Sequence, residues 1–187
     1  MTAHNSLILA IVGPIGSGKG TVSSYIERRY GAVTFKSSKP LRRILEILDI
    51  EVSRSTMQFL SQLLRENYGQ DSIARIAKRE VANSDSRISI IDGARRIPDI
   101  APFLDLPNFV LIYIEADEQV RYSRITKRAE NAGDSEKTFD EFLQEEQGEP
   151  ERNTRSLREK AKFIIDNSTD EAELMERVDA IMSELLD

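Results

Sequence analysis

The residues Gly13-Pro-Ile-Gly-Ser-Gly-Lys-Gly-Thr21 form the segment of this chain best suited to chemistry. Glycines at 13, 16 and 18 let the backbone turn tightly, so that successive amides converge on one point. Lys19 adds a mobile positive charge, while Ser17, Gly20 and Thr21 complete the loop. Converging N–H groups beside an ammonium make an anion cradle suited to phosphate oxygens. Most other candidates are also cationic: Arg42, Arg65, Arg95, Arg96, Arg121, Arg124, Arg128, Arg152 and Arg155. Arginine binds phosphate bidentately. The chain has no cysteine, which rules out thiol nucleophiles, disulfides and thiolate metal sites, and its one histidine, His4 near the N-terminus, argues against a Ser-His-Asp triad. The remaining set suits phosphoryl transfer, in which a protein chiefly positions groups and neutralises charge.

Such a loop works only if a strand delivers it and a helix receives it. Ser6-Leu-Ile-Leu-Ala-Ile-Val12 is a continuous apolar run ending at Gly13, as in a strand buried on both faces. After the loop, Val22, Tyr25 and Ile26 recur at helical spacing until Gly31, a C-cap. A second strand is predicted over Ala32–Lys36, and a helix from Ser38 with Leu41, Ile44, Leu45 and Leu48 on one face. Helices are predicted over Ser55–Tyr68, marked by Phe59, Leu60, Leu63 and Leu64, and over Ser72–Asn83. Further strands are expected at Arg87–Asp92, Asn108–Glu115 and Lys162–Asp166, with helices from Asp117 to about Ala129 and over about Asp170–Leu186. Strands alternating with helices imply right-handed βαβ units, hence an α/β three-layer doubly wound fold with a mainly parallel five-stranded sheet.

In such sheets the ligand crevice lies at the carboxyl ends of the strands. Asp92 ends a strand there, suited to Mg²⁺ or, alternatively, to capping a helix. The usual phosphate loop places Ser or Thr directly after its lysine to hold Mg²⁺. Here Gly20 occupies that place, so the metal would rely on phosphates, water and Thr21 or Asp92. Arg121, Arg124 and Arg128 are spaced by three and four and can share a helix face. Phe59, Tyr68 and Tyr113 could stack on a base, although core packing is the simpler expectation for each.

The 187 residues suit one domain, and 31% charged residues with 40% apolar ones describe a soluble globular chain. The net charge of −6 is unevenly distributed. Residues 130–151 hold nine acids and one base, and residues 166–187 eight acids and one base, so the remainder carries +9. The first acidic stretch, poor in large apolar residues, is expected to be a lid or flexible insertion. The second is the last helix. The positive remainder fits a small polyphosphate, whereas an extended nucleic acid would meet two acidic flanks. No apolar run approaches a membrane span, and Leu7–Val12 is too short for a signal peptide, so a cytoplasmic protein is expected.

The pattern G-x-x-G-x-G-K-G-T resembles that of adenylate kinase and related nucleoside monophosphate kinases. The resemblance extends along the chain. Ser37-Ser-Lys-Pro-Leu-Arg-Arg43 resembles the segment opening the acceptor-binding helices, which implies acceptor contacts from Ser37 and Arg42. Ile91-Asp-Gly-Ala-Arg-Arg96 resembles the strand-end D-G-x-x-R, and Val120–Arg128 the arginine-bearing helix that leads into the lid. Phe59–Ala77, with Arg65, is also similar to phage-type deoxynucleoside monophosphate kinases and dephospho-CoA kinase-like proteins. The resemblance implies a single P-loop kinase domain over 1–187. Its core would be 1–36, 84–129 and 152–187, with acceptor helices at about 37–83 and a lid at about 130–151. It implies ATP and Mg²⁺ as cofactors and a small phosphorylated acceptor, with the protein a monomer or homodimer away from membranes. Arg124 and Arg128 would clamp the donor phosphates, while Arg152 and Arg155 would close from beyond the acidic stretch. Adenylate kinase implies Arg96 as an acceptor arginine and the dephospho-CoA kinase-like proteins imply Arg95, leaving both open. In the relatives the loop matching Asn167–Asp170 touches adenine mostly by backbone. The activity implied is transfer of the ATP γ-phosphate to a nucleoside or deoxynucleoside monophosphate. Alternatives are dephospho-CoA kinase, whose D-x-P-L-L-F-E segment is missing here, and a non-catalytic nucleotide-binding switch or ATPase.

Overall fold

The computed structural model describes residues 6–128 and 134–187; His4 and positions 129–133 lie outside that range. The apolar run forms β1, Leu7–Val12, with every residue buried. Its alternation divides the core. Leu7, Leu9 and Ile11 face one side with Val22 and Ile26 of α1 (Lys19–Tyr30) and Leu174, Val178 and Met182 of the last helix. Ile8, Ala10 and Val12 face the other with Ala74, Ala77, Val81, Ile100, Phe103 and Leu157. A central strand needs two apolar faces because helices cover both, and the unbroken run supplies them.

The other strands are β2 (Val33–Lys36), β3 (Ile88–Asp92), β4 (Phe109–Glu115) and β5 (Phe163–Asp166). They pair in the order β2-β3-β1-β4-β5, and all four pairings are parallel. The chain therefore leaves β1 toward one edge of the sheet and later crosses to the other side. The carboxyl ends of β1 and β3 thus stand side by side, with Ala10 opposite Ile91, and bring the loop after Val12 next to Asp92.

Between β2 and β3 lie α2 (Ser38–Ile47), α3 (Arg54–Tyr68) and α4 (Ser72–Ala82). Leu41, Leu45, Leu60 and Ile73 join them in a small core of their own. Phe59 and Tyr68, expected in the core, are instead 69% and 66% exposed, and Leu63 is also exposed. They occupy a stripe beside Leu60 and Leu64 that this small core does not cover. Tyr113 is buried in β4 as expected.

A short helix, α5 (Ile97–Ile100), precedes β4. After β4 come α6 (Glu118–Arg128), α7 (Phe139–Glu146) and α8 (Glu149–Ser156), and α9 (Glu171–Leu186) closes the chain. The described part of the acidic stretch is therefore largely helical rather than irregular. Thr138 and Glu141 cap α7 reciprocally, and Phe142 is fully buried against α6, packing on Tyr122 and Arg121.

Candidate functional site

The loop leaves β1 at Gly13, whose φ is +148°; a Cβ there would lie 2.0 Å from the Ile114 carbonyl oxygen. The loop is thus pressed against β4, where only glycine fits. At Gly18, φ is +100° and a Cβ would lie 2.2 Å from Asn167 Nδ2. That nitrogen donates to the Ser17 carbonyl at 2.8 Å, so the end of β5 braces the loop. Ser17 itself is fully buried, and its Oγ has no hydrogen-bond partner among the described residues. Helix α1 begins at Lys19 with neither a side-chain cap nor an acid in its first turn. Its leading amides and positive dipole end are left to attract an anion. Lys19 Nζ donates to the Pro14 carbonyl at 2.7 Å, which folds the ammonium back over the loop.

Two cavities meet at this loop. The smaller, about 120 Å³, is lined by Gly13, Ile15, Lys19, Asp92, Arg95 and Thr154. The larger, about 720 Å³, is lined by Gly16, Gly18, Lys19, Gly20 and Thr21 of the loop, by Arg124, Lys127 and Arg128 of α6, and by Asn167. Ile15, Lys19 and Arg95 line both. Arg124 Nη2 donates to Asn167 Oδ1 at 3.4 Å, while its Nη1 is buried with no partner among the described residues. Thr21 and Asp92 line different cavities, and no group of three or more His, Cys, Asp or Glu among the described residues is arranged to hold a metal.

The acceptor-side candidates separate sharply. Arg95 reaches the cavities, and its backbone N–H donates to Asp99 Oδ2 at 3.0 Å. Arg96 turns away: Nη2 donates to Asp99 Oδ1 at 3.2 Å and Nη1 to Gln70 Oε1 at 3.0 Å. Arg65 approaches the same Asp99 oxygen at 3.6 Å, and burial pushes its pKa down against the pull of that carboxylate. Ser37 Oγ donates to the Asp92 carbonyl at 3.0 Å, which seats it beside the end of β3. Arg42 is exposed on α2, and Arg152 is exposed on α8; neither lines either cavity. Arg155 donates to Glu146 Oε2 at 2.9 Å.

Residues 12–143 match a protein family described as an AAA domain, AAA_17. The chain belongs to that family. It is also 31% identical over 144 residues to a UPF0200 protein of Hyperthermus butylicus, covering 77% of this chain and 76% of that one. It therefore belongs to the UPF0200 family as well. Two solved structures are similar in fold. Shikimate kinase from Bacteroides thetaiotaomicron has a TM-score of 0.59 at 14% identity, covering 97% of this chain and 99% of that one. Gluconokinase from Sinorhizobium meliloti has a TM-score of 0.58 at 15% identity, covering 97% and 94%. The fold of this AAA_17 member is thus the P-loop kinase-like one. Among the described residues no helix is long and apolar enough to cross a membrane.

Several site residues of this family member escape sequence reasoning. Lys127 lines the larger cavity from a position outside the three-and-four spacing of its neighbours. Thr154 is brought from α8 into the wall of the smaller one. The side chain of Asn167 bonds the Ser17 carbonyl and Arg124, a bracing role apart from the backbone contact with adenine that the resemblance implies for its loop. Arg121, expected to share a face with Arg124 and Arg128, lines neither cavity; it is buried and paired with Glu146 at 2.8 Å. Burial alone would raise the Glu146 pKa, but hydrogen bonds and charge from Arg121 and Arg155 outweigh it and hold the carboxyl below the ordinary glutamate value. Only the i, i+3 spacing on α6 hinted at Arg121, and no local pattern selects its partner.

Proposed function

We propose that the protein is an ATP- and Mg²⁺-dependent phosphotransferase acting on a small phosphorylated acceptor, first a nucleoside or deoxynucleoside monophosphate. One observation carries this reading: Lys19 and Arg95 line both cavities, so two cations stand where a donor phosphate in one and an acceptor in the other would meet. Gly13, Gly16, Ser17, Gly18, Gly20 and Thr21 would cradle the β- and γ-phosphates together with Lys19. The buried Arg124 Nη1, without a hydrogen-bond partner among the described residues, and the open space beside Gly20 both fit a polyphosphate in the larger cavity. Arg124 and Arg128 would neutralise charge developing on the γ-phosphoryl oxygens, with Lys127 adding to the field. Bound Mg²⁺ would screen the donor phosphates; Asp92 and Thr21 are its candidate ligands, in a site that leaves most of its coordination to phosphate and water.

On the acceptor side, Arg95 is the arginine best placed to grip a phosphate. Ser37 and Arg42 on α2 and the Asp99-bound Arg65 and Arg96 would join only if the acceptor helices close. The stretch of about 130–151 serves as the lid, with Arg152 and Arg155 at its far end. Excluding water there would protect ATP from hydrolysis. The protein would work in the cytoplasm as a monomer or homodimer.

ADP release from ATP is measured across the nucleoside and deoxynucleoside monophosphates, dephospho-CoA, shikimate and gluconate. Acceptor-dependent turnover with one or more monophosphates is expected, and Lys19→Met is expected to abolish it with an unchanged melting temperature. Turnover only with dephospho-CoA or a hydroxyl acceptor overturns the acceptor assignment. Tight ADP binding with no turnover overturns the enzyme reading, and full activity in Lys19→Met overturns the mechanism.

A further inference from the structure

Arg121 lies on the same helix as the cavity arginines, yet its donors are committed inside the protein. Its side chain is 4% exposed. Nε donates to the Ala116 carbonyl at 3.0 Å, Nη1 to Glu146 Oε1 at 2.8 Å, and Nη2 to Glu146 Oε2 at 2.8 Å. Nη1 also donates to the carbonyl of Ile15 at 3.3 Å. Ile15 is in the glycine-rich loop and lines both cavities. The next residue, Gly16, has φ +75°, and a Cβ there would lie 2.8 Å from the Arg121 carbonyl oxygen. Loop and α6 therefore touch backbone to backbone at the point where the guanidinium reaches in.

A buried ion pair adds little stability that well-packed apolar residues could not supply. Its distinctive contribution is direction, because a guanidinium held by a bidentate carboxylate cannot swivel. In a trans peptide the carbonyl of one residue and the N–H of the next point opposite ways. Fixing the Ile15 carbonyl on Arg121 therefore turns the Gly16 N–H away from Arg121, toward the cavity that Gly16 lines. A swivelled peptide would instead present a carbonyl to the phosphates and repel them.

We propose that Arg121 is a positioning residue that sets the Ile15–Gly16 peptide for anion binding, and that Glu146 at the end of α7 holds Arg121 in place. The loop and α7 are then energetically coupled, so the anion bound in one and the docking of the other favour each other. The consequence for anion affinity rests on the reading of the loop as a polyphosphate site; the peptide orientation does not.

The test uses the full chain, well below the melting temperatures of all variants. Arg121→Lys keeps the charge but cannot reach Ile15, Ala116 and both Glu146 oxygens together. Phe103→Leu is the packing control, because it loosens a fully buried core position that belongs to neither α6 nor α7 and removes no donor from Ile15. Calorimetric titration with Mg·ADP is expected to show about a tenfold or greater loss of affinity in Arg121→Lys, the size of one lost hydrogen bond to a charged oxygen, and less than a twofold change in Phe103→Leu. In the nucleotide-free protein the Gly16 amide resonance is expected to move in Arg121→Lys and the Gly31 amide to stay. An unmoved Gly16 amide overturns the positioning role whether or not nucleotide binds, and so does an equal loss of affinity in both variants. A wild-type protein that ignores Mg·ADP while Gly16 still moves overturns the polyphosphate reading and leaves the positioning role standing.

Discussion

Two glycines of the phosphate loop should respond oppositely to the same substitution. In Gly13→Ala the new methyl meets the Ile114 carbonyl oxygen at 2.0 Å and Ser17 Oγ at 3.0 Å. The obstacle is strand backbone, which no rotamer change can clear, so loop and β4 must part by roughly 1.4 Å for an ordinary contact. Holding an alanine at positive φ costs roughly 1–2 kcal/mol, and overpacking of this kind a further ~1–3 kcal/mol. The sum, about 2–5 kcal/mol, is a large fraction of the ~5–15 kcal/mol that holds a typical domain together. For a chain of this size it lowers the melting temperature by roughly 4–20 °C. In Gly20→Ala the methyl meets nothing within 4 Å, and the residue lies in the first turn of α1. Alanine's higher helix propensity then gives up to ~1 kcal/mol of stabilisation and a rise of about 1–4 °C. Thermal unfolding followed by circular dichroism reads both variants. A Gly13→Ala protein melting within 1 °C of wild type, or a Gly20→Ala protein destabilised more than Gly13→Ala, would refute the close approach of loop and β4.

Arg95→Gln is expected to raise the acceptor KM about tenfold or more with little change in melting temperature, because its side chain lines the cavities. Arg96→Gln is expected to do the reverse: it removes bonds to Asp99 and Gln70 and costs roughly 1 kcal/mol, read by denaturant unfolding, with a smaller effect on KM. Glu146 predicts an acid response. Its folded pKa lies below the unfolded value of about 4.3, so the stabilisation it gives is complete above that value and is lost as pH falls through the lowered folded value. Melting temperatures should therefore drop below about pH 4.5, with α7 amides exchanging early; an α7 that stays protected while the rest of the chain unfolds would contradict the assignment.

What was legible in the sequence was what is decided locally. The β1–loop–α1 unit rests on an unbroken apolar run, glycine spacing and a lysine, all within Leu7–Tyr30, and its boundaries agree with expectation. The strands of the parallel sheet could be read because central strands need apolar residues on both faces. Helix α5 has four residues, too few to show a period. Helix α7 hid in an acidic stretch because Phe142 is core only where Tyr122 and Arg121 of α6 cover it. Phe59 and Tyr68 failed in the other direction, since an apolar stripe on α3 predicts burial only if a neighbour arrives to cover it. That Arg95 lines the cavities while Arg96 bonds to Asp99 was invisible for the same reason. The two are adjacent and chemically identical, and only Asp99 with Gln70 distinguishes them.

That distinction applies to the cations more widely. The protein has many arginines, and the fold sorts them by supplying acids. Arg65 and Arg96 meet Asp99, Arg121 and Arg155 meet Glu146, Arg158 meets Glu115, and Arg177 meets Glu173. Among the described residues no acid forms an ion pair with Arg95, Arg124 or Lys127, and these three line the cavities around the loop. A cation left without a carboxylate in a concave site raises the local potential and attracts anions. A cation given one becomes a strut. The acidity that makes the whole chain −6 is thus more than a solvating surface. Glu146, from its most acidic stretch, is consumed in the interior, where it ties down two arginines and fixes one of them against the phosphate loop. Removing acids from this chain would therefore not simply make its site more positive. It would free arginines whose restraint gives the loop its shape.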